Sequence, residues 1–139
     1  MSVCLDTFAL LAWVLDEPSA GTTEDQLSRA AVEENQHCLM AAMNLGELFY
    51  IVARRLGVEE AENLWRRCTR GEIPLTIVEA TLARVRAAAT LKAQHPISYA
   101  DAFAVATAVE HRVPLLTGDP EILALQNVPG LKLVDLTPS

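Results

Sequence analysis

The chain has little with which to cross-link itself or to hold a soft metal. Its cysteines, Cys4, Cys38 and Cys68, are odd in number, far apart and form no C-x-x-C pair, so no disulfide framework or thiolate zinc site is expected. His37, His95 and His111 are scattered, without helical pairing, which leaves zinc no ligand set. Long apolar runs are missing as well. Phe8 to Leu15 falls far short of the roughly 20 residues of a membrane span. No basic residue precedes it, so a secretory signal is not expected. Buried, unpaired thiols in a reducing cytoplasm fit this pattern. Neither G-x-G-x-x-G nor G-x-x-x-x-G-K occurs, which disfavours dinucleotide and nucleoside triphosphate binding. Ser98 has no paired base in sight, so nucleophilic catalysis is not expected from it.

Positive charge is also scarce. Eleven Lys and Arg face eighteen Asp and Glu, a net charge of −7, whereas phosphate contacts require basic groups. Most of the basic residues are Arg, whose fork grips phosphate, and Arg54, Arg55, Arg66, Arg67 and Arg70 fall close together. A solvated helix face explains the same arginines. Charge therefore neither supports nor excludes an RNA substrate.

What is present is a globular composition, 51% hydrophobic and 21% charged over 139 residues, enough for one real core. With no linker, repeat or low-complexity stretch, residues 1–139 read as one domain. Short β-prone runs stand at residues 3–6, 39–43 and 114–117. Residues 131–136 alternate as an edge strand does, and 73–77 form a further candidate despite Pro74. Helical patterns cover 44–56, stopped by Gly57, then 58–70, 78–93 and a nearly all-apolar 101–111. The second of these has Glu59, Glu60 and Glu62 at its start and Arg66, Arg67 and Arg70 at its end, matching the helix dipole. Strands alternating with helices predict an α/β fold, a small and mostly parallel sheet with helices on both faces.

Four acids stand at the junctions. Asp6 follows Val3-Cys4-Leu5, Glu47 follows Asn44-Leu45-Gly46, Asp101 follows Ser98-Tyr99-Ala100, and Asp119 follows Thr117-Gly118. Each alone is explained as a helix cap. Asn44-x-x-Glu47 and Ser98-x-x-Asp101 resemble the capping box, and Asp119-Pro120 fits an N-cap followed by proline. Their joint placement says more. Strand C-termini of an α/β sheet gather along one edge, where ligands bind. Four carboxylates gathered there repel one another, and a hard divalent ion such as magnesium or manganese removes that conflict.

These pieces, Leu5-Asp6-Thr7, Glu47 in the helix start Asn44–Tyr50, Tyr99-Ala100-Asp101-Ala102 and Leu116-Thr117-Gly118-Asp119-Pro120, come in an order and spacing that resemble a PIN-domain ribonuclease of the VapC toxin type over essentially the whole chain. The resemblance implies a three-layer α/β/α sandwich. It also implies an acidic quartet of Asp6, Glu47, Asp101 and Asp119 binding one or two Mg2+ ions, with Mn2+ as a substitute. It implies endoribonuclease activity on RNA, in which the ion activates a water for in-line attack on phosphorus. Asp6 and Asp101 are then expected as direct ligands, Glu47 and Asp119 as ligands through water or to a second ion. Thr7 and Thr117 either orient a ligand water or are local turn hydroxyls. Glu121 is either a spare acid or an ordinary first-turn glutamate. Phe8 departs from the small polar residue that members often carry there. A cognate antitoxin and a homodimer are the implied protein partners. The helical hairpin of residues 44–70, with Phe49, Tyr50 and Trp65, is expected either at such an interface or merely closing the core. The alternative is a non-catalytic PIN-like module whose acidic pocket captures a basic peptide.

Overall fold

The computed structural model describes residues 2–138. Its centre is a five-stranded, all-parallel sheet of β1 (Val3–Leu5), β2 (Cys38–Ala41), β3 (Leu75–Val78), β4 (Leu115–Thr117) and β5 (Leu133–Asp135), in the order β3-β2-β1-β4-β5. The predicted edge strand at 131–136 is β5 at one edge, and the candidate at 73–77 is β3 at the other. Pro74 stands just before β3, where its missing N–H removes no ladder hydrogen bond.

Successive residues of the inner strands point to opposite faces, and both faces are apolar because helices cover both. Val3, Leu5, Met40 and Leu116 pack on one side with α1 (Thr7–Val14), α2 (Gly21–Val32), α3 (Ala42–Leu56) and α4 (Val58–Thr69). Cys4, Leu39 and Leu115 pack on the other with Ala104, Val105 and Ala108 of α6 (Tyr99–His111) and Ile122 of α7 (Pro120–Leu123). Ala88 of α5 (Leu82–Gln94) joins Ala102 and Phe103 of α6 in a third apolar cluster. The result is the three-layer α/β/α sandwich.

Several local expectations need correcting. Helix α3 begins at Ala42, so Asn44 lies inside its first turn and caps nothing. The start of α5 is fixed at Leu82 by Thr81, whose hydroxyl accepts the Arg84 N–H at 3.3 Å; residue 78 belongs to β3. In α4 the inward stripe is Ala61, Leu64 and Cys68, while Val58 and Trp65 turn outward. Helix α2 was not predicted. Only Thr23 and Leu27 of its twelve residues are buried, too few to write a period in the sequence. Gly57 does end α3, with φ +100 that no L side chain adopts comfortably, and it turns the chain into α4.

All three thiols are free and buried. Burial pushes the Cys38 and Cys68 thiols up to about 11, so they are inert packing groups. No helix among the described residues is long and apolar enough to cross a membrane.

Candidate metal centre

The strand order sets where the site falls. From β1 the chain moves outward through β2 to β3, then crosses back to β4 on the other side of β1 and on to β5. The order reverses between β1 and β4, which opens a crevice beyond their C-terminal ends. Asp6 follows β1 and Asp119 follows β4, so both stand at this crevice.

Asp6 is 2% exposed. One carboxylate oxygen accepts the Ala9 N–H at 2.8 Å as the N-cap of α1, and the other accepts the Thr117 hydroxyl. Burial nonetheless pushes its pKa up to about 7, reinforced by the charges of Asp101 and Asp119 and opposed by those two hydrogen bonds. Asp101, 8% exposed, lies in the first turn of α6, where Ser98 caps the helix by accepting the Asp101 N–H at 3.1 Å. Its pKa is raised to about 6, first by burial and then by Asp119, with smaller contributions from Glu47 and Glu121. Capping and clustering thus coexist here. A cap alone would lower these values; burial among other carboxylates reverses the sign.

Asp119 caps α7 by accepting the Glu121 N–H at 2.8 Å, and its own N–H donates to the Thr117 hydroxyl at 3.0 Å. Thr117 therefore bridges Asp6 and Asp119, and the hydroxyl read as either a water-orienting or a turn group is a tie between two acids. Carboxylate oxygens of Asp101, Asp119 and Glu121 come within 4.8 Å of one another, close enough to share an ion. Asp6 and Glu47 stand outside that tight set, although both act electrostatically on Asp101 or its neighbours. Glu121, read from the sequence as either a spare acid or a first-turn glutamate, lies in that set. Its signal was Asp119-Pro120-Glu121, where proline starts a helix that aims the first-turn acid back at the cap.

Asn44 is what sequence reasoning misplaced. It is 0% exposed, and its Nδ2 donates to the Thr7 hydroxyl at 3.3 Å and to the Ala100 carbonyl at 3.0 Å. The Thr7 hydroxyl donates in turn to the Asn44 carbonyl at 3.3 Å. One amide thus ties the residue after Asp6, the helix bearing Glu47 and the residue before Asp101.

The donor set suits a hard divalent ion. It consists of carboxylate oxygens with no thiolate or imidazole among them, and burial followed by neighbouring carboxylates holds Asp101 of this set, and Asp6 beside it, above the ordinary range.

Comparison with known proteins gives three results. The family model of the PIN domain matches residues 3–128. No curated protein sequence matches the chain. Among solved structures, the chain is similar to VapBC2 from Rickettsia felis bound to a DNA fragment from its promoter, at TM-score 0.70 and 16% identity, covering 97% of this chain and 98% of that one. It is also similar to VapC20 of Mycobacterium tuberculosis, described as a sarcin-ricin loop cleaving toxin, at TM-score 0.69 and 17% identity, covering 88% and 93%. A third is VapBC-1 from nontypeable Haemophilus influenzae, at TM-score 0.68 and 17% identity, covering 99% and 100%. At such identities the likeness is one of fold.

Proposed function

The chain belongs to the PIN domain family, and from that premise we propose that it is a divalent-metal-dependent endoribonuclease, the toxin of a toxin–antitoxin pair. One observation carries the reading: Asp101, Asp119 and Glu121 gather at the switch point of the sheet beside buried Asp6, with the Asp6 and Asp101 carboxyls raised to about 7 and about 6. A folded chain tolerates such crowding where a cation or its substrate complex repays it.

Asp101, Asp119 and Glu121 would hold the ion, magnesium or manganese, with Asp6 and Glu47 completing the acid ring. When bound, the ion supplies activation of a water nucleophile and neutralisation of charge on the phosphate. The chain's own residues do the positioning. Thr117 and the Ala9 amide fix both oxygens of Asp6, so the carboxylate cannot rotate away. Asn44 holds the α1, α3 and α6 starts in register. The N-termini of α1 and α6, at Asp6 and next to Asp101, open at the crevice with their dipoles, which favours an incoming anion such as a phosphodiester.

The similar structures from Rickettsia felis and Haemophilus influenzae are named as VapBC assemblies, which supports an antitoxin as protein partner here. A homodimer acting in the cytoplasm, with residues 1–139 as one domain, completes the proposal.

The test is cleavage of single-stranded RNA in magnesium, with chelator as control. Wild type should cut only with the ion, and Asp101→Asn should lose activity by a factor on the order of a hundred or more while keeping its fold. An Asp101→Asn variant as fast as wild type would remove that residue from the site. A wild type that binds basic peptide but cuts nothing would favour the capture module instead.

A further inference from the structure

An open cavity of about 480 Å³ adjoins the acid site: its lining includes Ala100, the residue before Asp101, and Glu47, whose charge acts on Asp101. Ala42, Gly46, Ala80 and Ala100 line it, none reaching beyond a methyl group, so the space is a slot with smooth apolar sides. Met43, 39% exposed, and Tyr50, 45% exposed, also line it. The Tyr50 hydroxyl donates to Glu47 Oε2 at 3.5 Å, and the Arg54 guanidinium lies 5.1 Å from the ring centroid. An aromatic face, an arginine and an acid that acts on Asp101 therefore occupy neighbouring turns of α3. Phe49 points elsewhere, edge-on to Trp65 with ring centroids 5.8 Å apart.

We propose that this slot binds one base of the RNA, stacked on Tyr50, next to the phosphate presented to the acids. The inference rests on the ribonuclease reading above and deepens it. A chain of net charge −7 has few basic groups with which to gain affinity from counterion release. Stacking supplies affinity that does not depend on net charge, because every base has a π face. Arg54, over the Tyr50 ring, adds a cation beside the platform. A paired base cannot enter, since in A-form duplex its faces are stacked and its major-groove edge is too deep to reach. A base seated beside Glu47 would set the neighbouring phosphate toward Asp101 and Asp119.

Two variants test the slot without relying on one substitution. Tyr50→Ala removes the platform. Gly46→Leu fills the slot: a Cβ at Gly46 meets nothing within 4 Å, and leucine favours the helix, so the variant should fold. In a binding arm without divalent ion, a single-stranded oligonucleotide carrying 2-aminopurine is titrated onto the full chain. Wild type should bind with quenched fluorescence, each variant about tenfold more weakly without quenching, and the annealed duplex should give neither signal. In a cleavage arm with magnesium, both variants should raise KM about tenfold and change kcat less. Quenched binding by a wild type that cuts nothing keeps the slot and overturns the ribonuclease reading. Cleavage with equal KM in wild type and both variants overturns the slot and keeps that reading. Unaltered RNA binding by Tyr50→Ala, with a changed sedimentation coefficient, would assign the slot to a second copy of the chain and overturn the proposal.

Discussion

At Asp6 one oxygen accepts an amide and the other a hydroxyl, and the carboxyl still sits at about 7 instead of its ordinary 3.8. Two hydrogen bonds to the charged form do not offset full burial beside Asp101 and Asp119. The consequence for stability has a definite sign. A carboxyl whose folded pKa is raised binds its proton more tightly in the folded chain than in the unfolded one. Its contribution is fully present below the unfolded value near 3.8 and is lost as pH rises through about 7; for Asp101 the loss ends near 6. Asp6→Asn keeps an acceptor for Ala9 and cannot ionise. Without metal, its melting temperature relative to wild type should therefore climb as pH rises from about 4 to about 7 and level off above. A difference that stays flat across that window in thermal scans would contradict the burial-driven shift. The positions of these acids were legible in the sequence, since each closes a strand or opens a helix. Their titration was not, because burial and neighbouring charge come from residues distant in the chain.

The junction between β4 and α7 shows how elements are held at the scale the sequence conveys poorly. A Cβ placed on Gly118 would lie 2.2 Å from the Phe8 ring of α1, so glycine there is a packing requirement set by a residue 110 positions away. Phe8 thus takes up space that closes α1 onto the Thr117–Asp119 turn. Gly118→Ala should cost about 1–3 kcal/mol by overpacking and shift Asp119. In a Phe8→Ala background the same change should cost little, a coupling on the order of 1 kcal/mol in a double-mutant cycle. Additive losses from denaturant melts would mean that the turn, not the ring, sets the cost. The elements themselves were largely readable, since strands buried on both faces and the hairpin of α3 and α4 announce themselves by apolar runs and by Gly57. Helix α2 was hidden by its polarity, and Asn44 was misread because a capping pattern and a buried amide bridge look alike in one dimension.

Over the whole molecule, the doubly wound order gathers acids from distant segments at one crevice, on a chain already seven charges negative. Metal binding should therefore be coupled both to protons and to folding. Manganese titrated into the chain near pH 6 should displace protons from Asp6 and Asp101, so the measured heat should vary with the ionisation enthalpy of the buffer. The ion should also raise the melting temperature by mass action, by an amount equivalent to about 2.7 kcal/mol at a hundredfold excess over its dissociation constant. Asp119→Asn removes a member of the tight set that also shapes α7, whereas Glu121→Gln removes one that is exposed and caps nothing. If Asp101, Asp119 and Glu121 are the ligands, both variants should weaken manganese binding, and Glu121→Gln should do so without lowering the melting temperature of the metal-free chain. If the acids only cap helices, the wild type should ignore manganese, release no protons and melt at the same temperature with and without it. A wild type that binds manganese while Glu121→Gln binds it equally well would return the site to the original four acids and leave Glu121 as a first-turn glutamate.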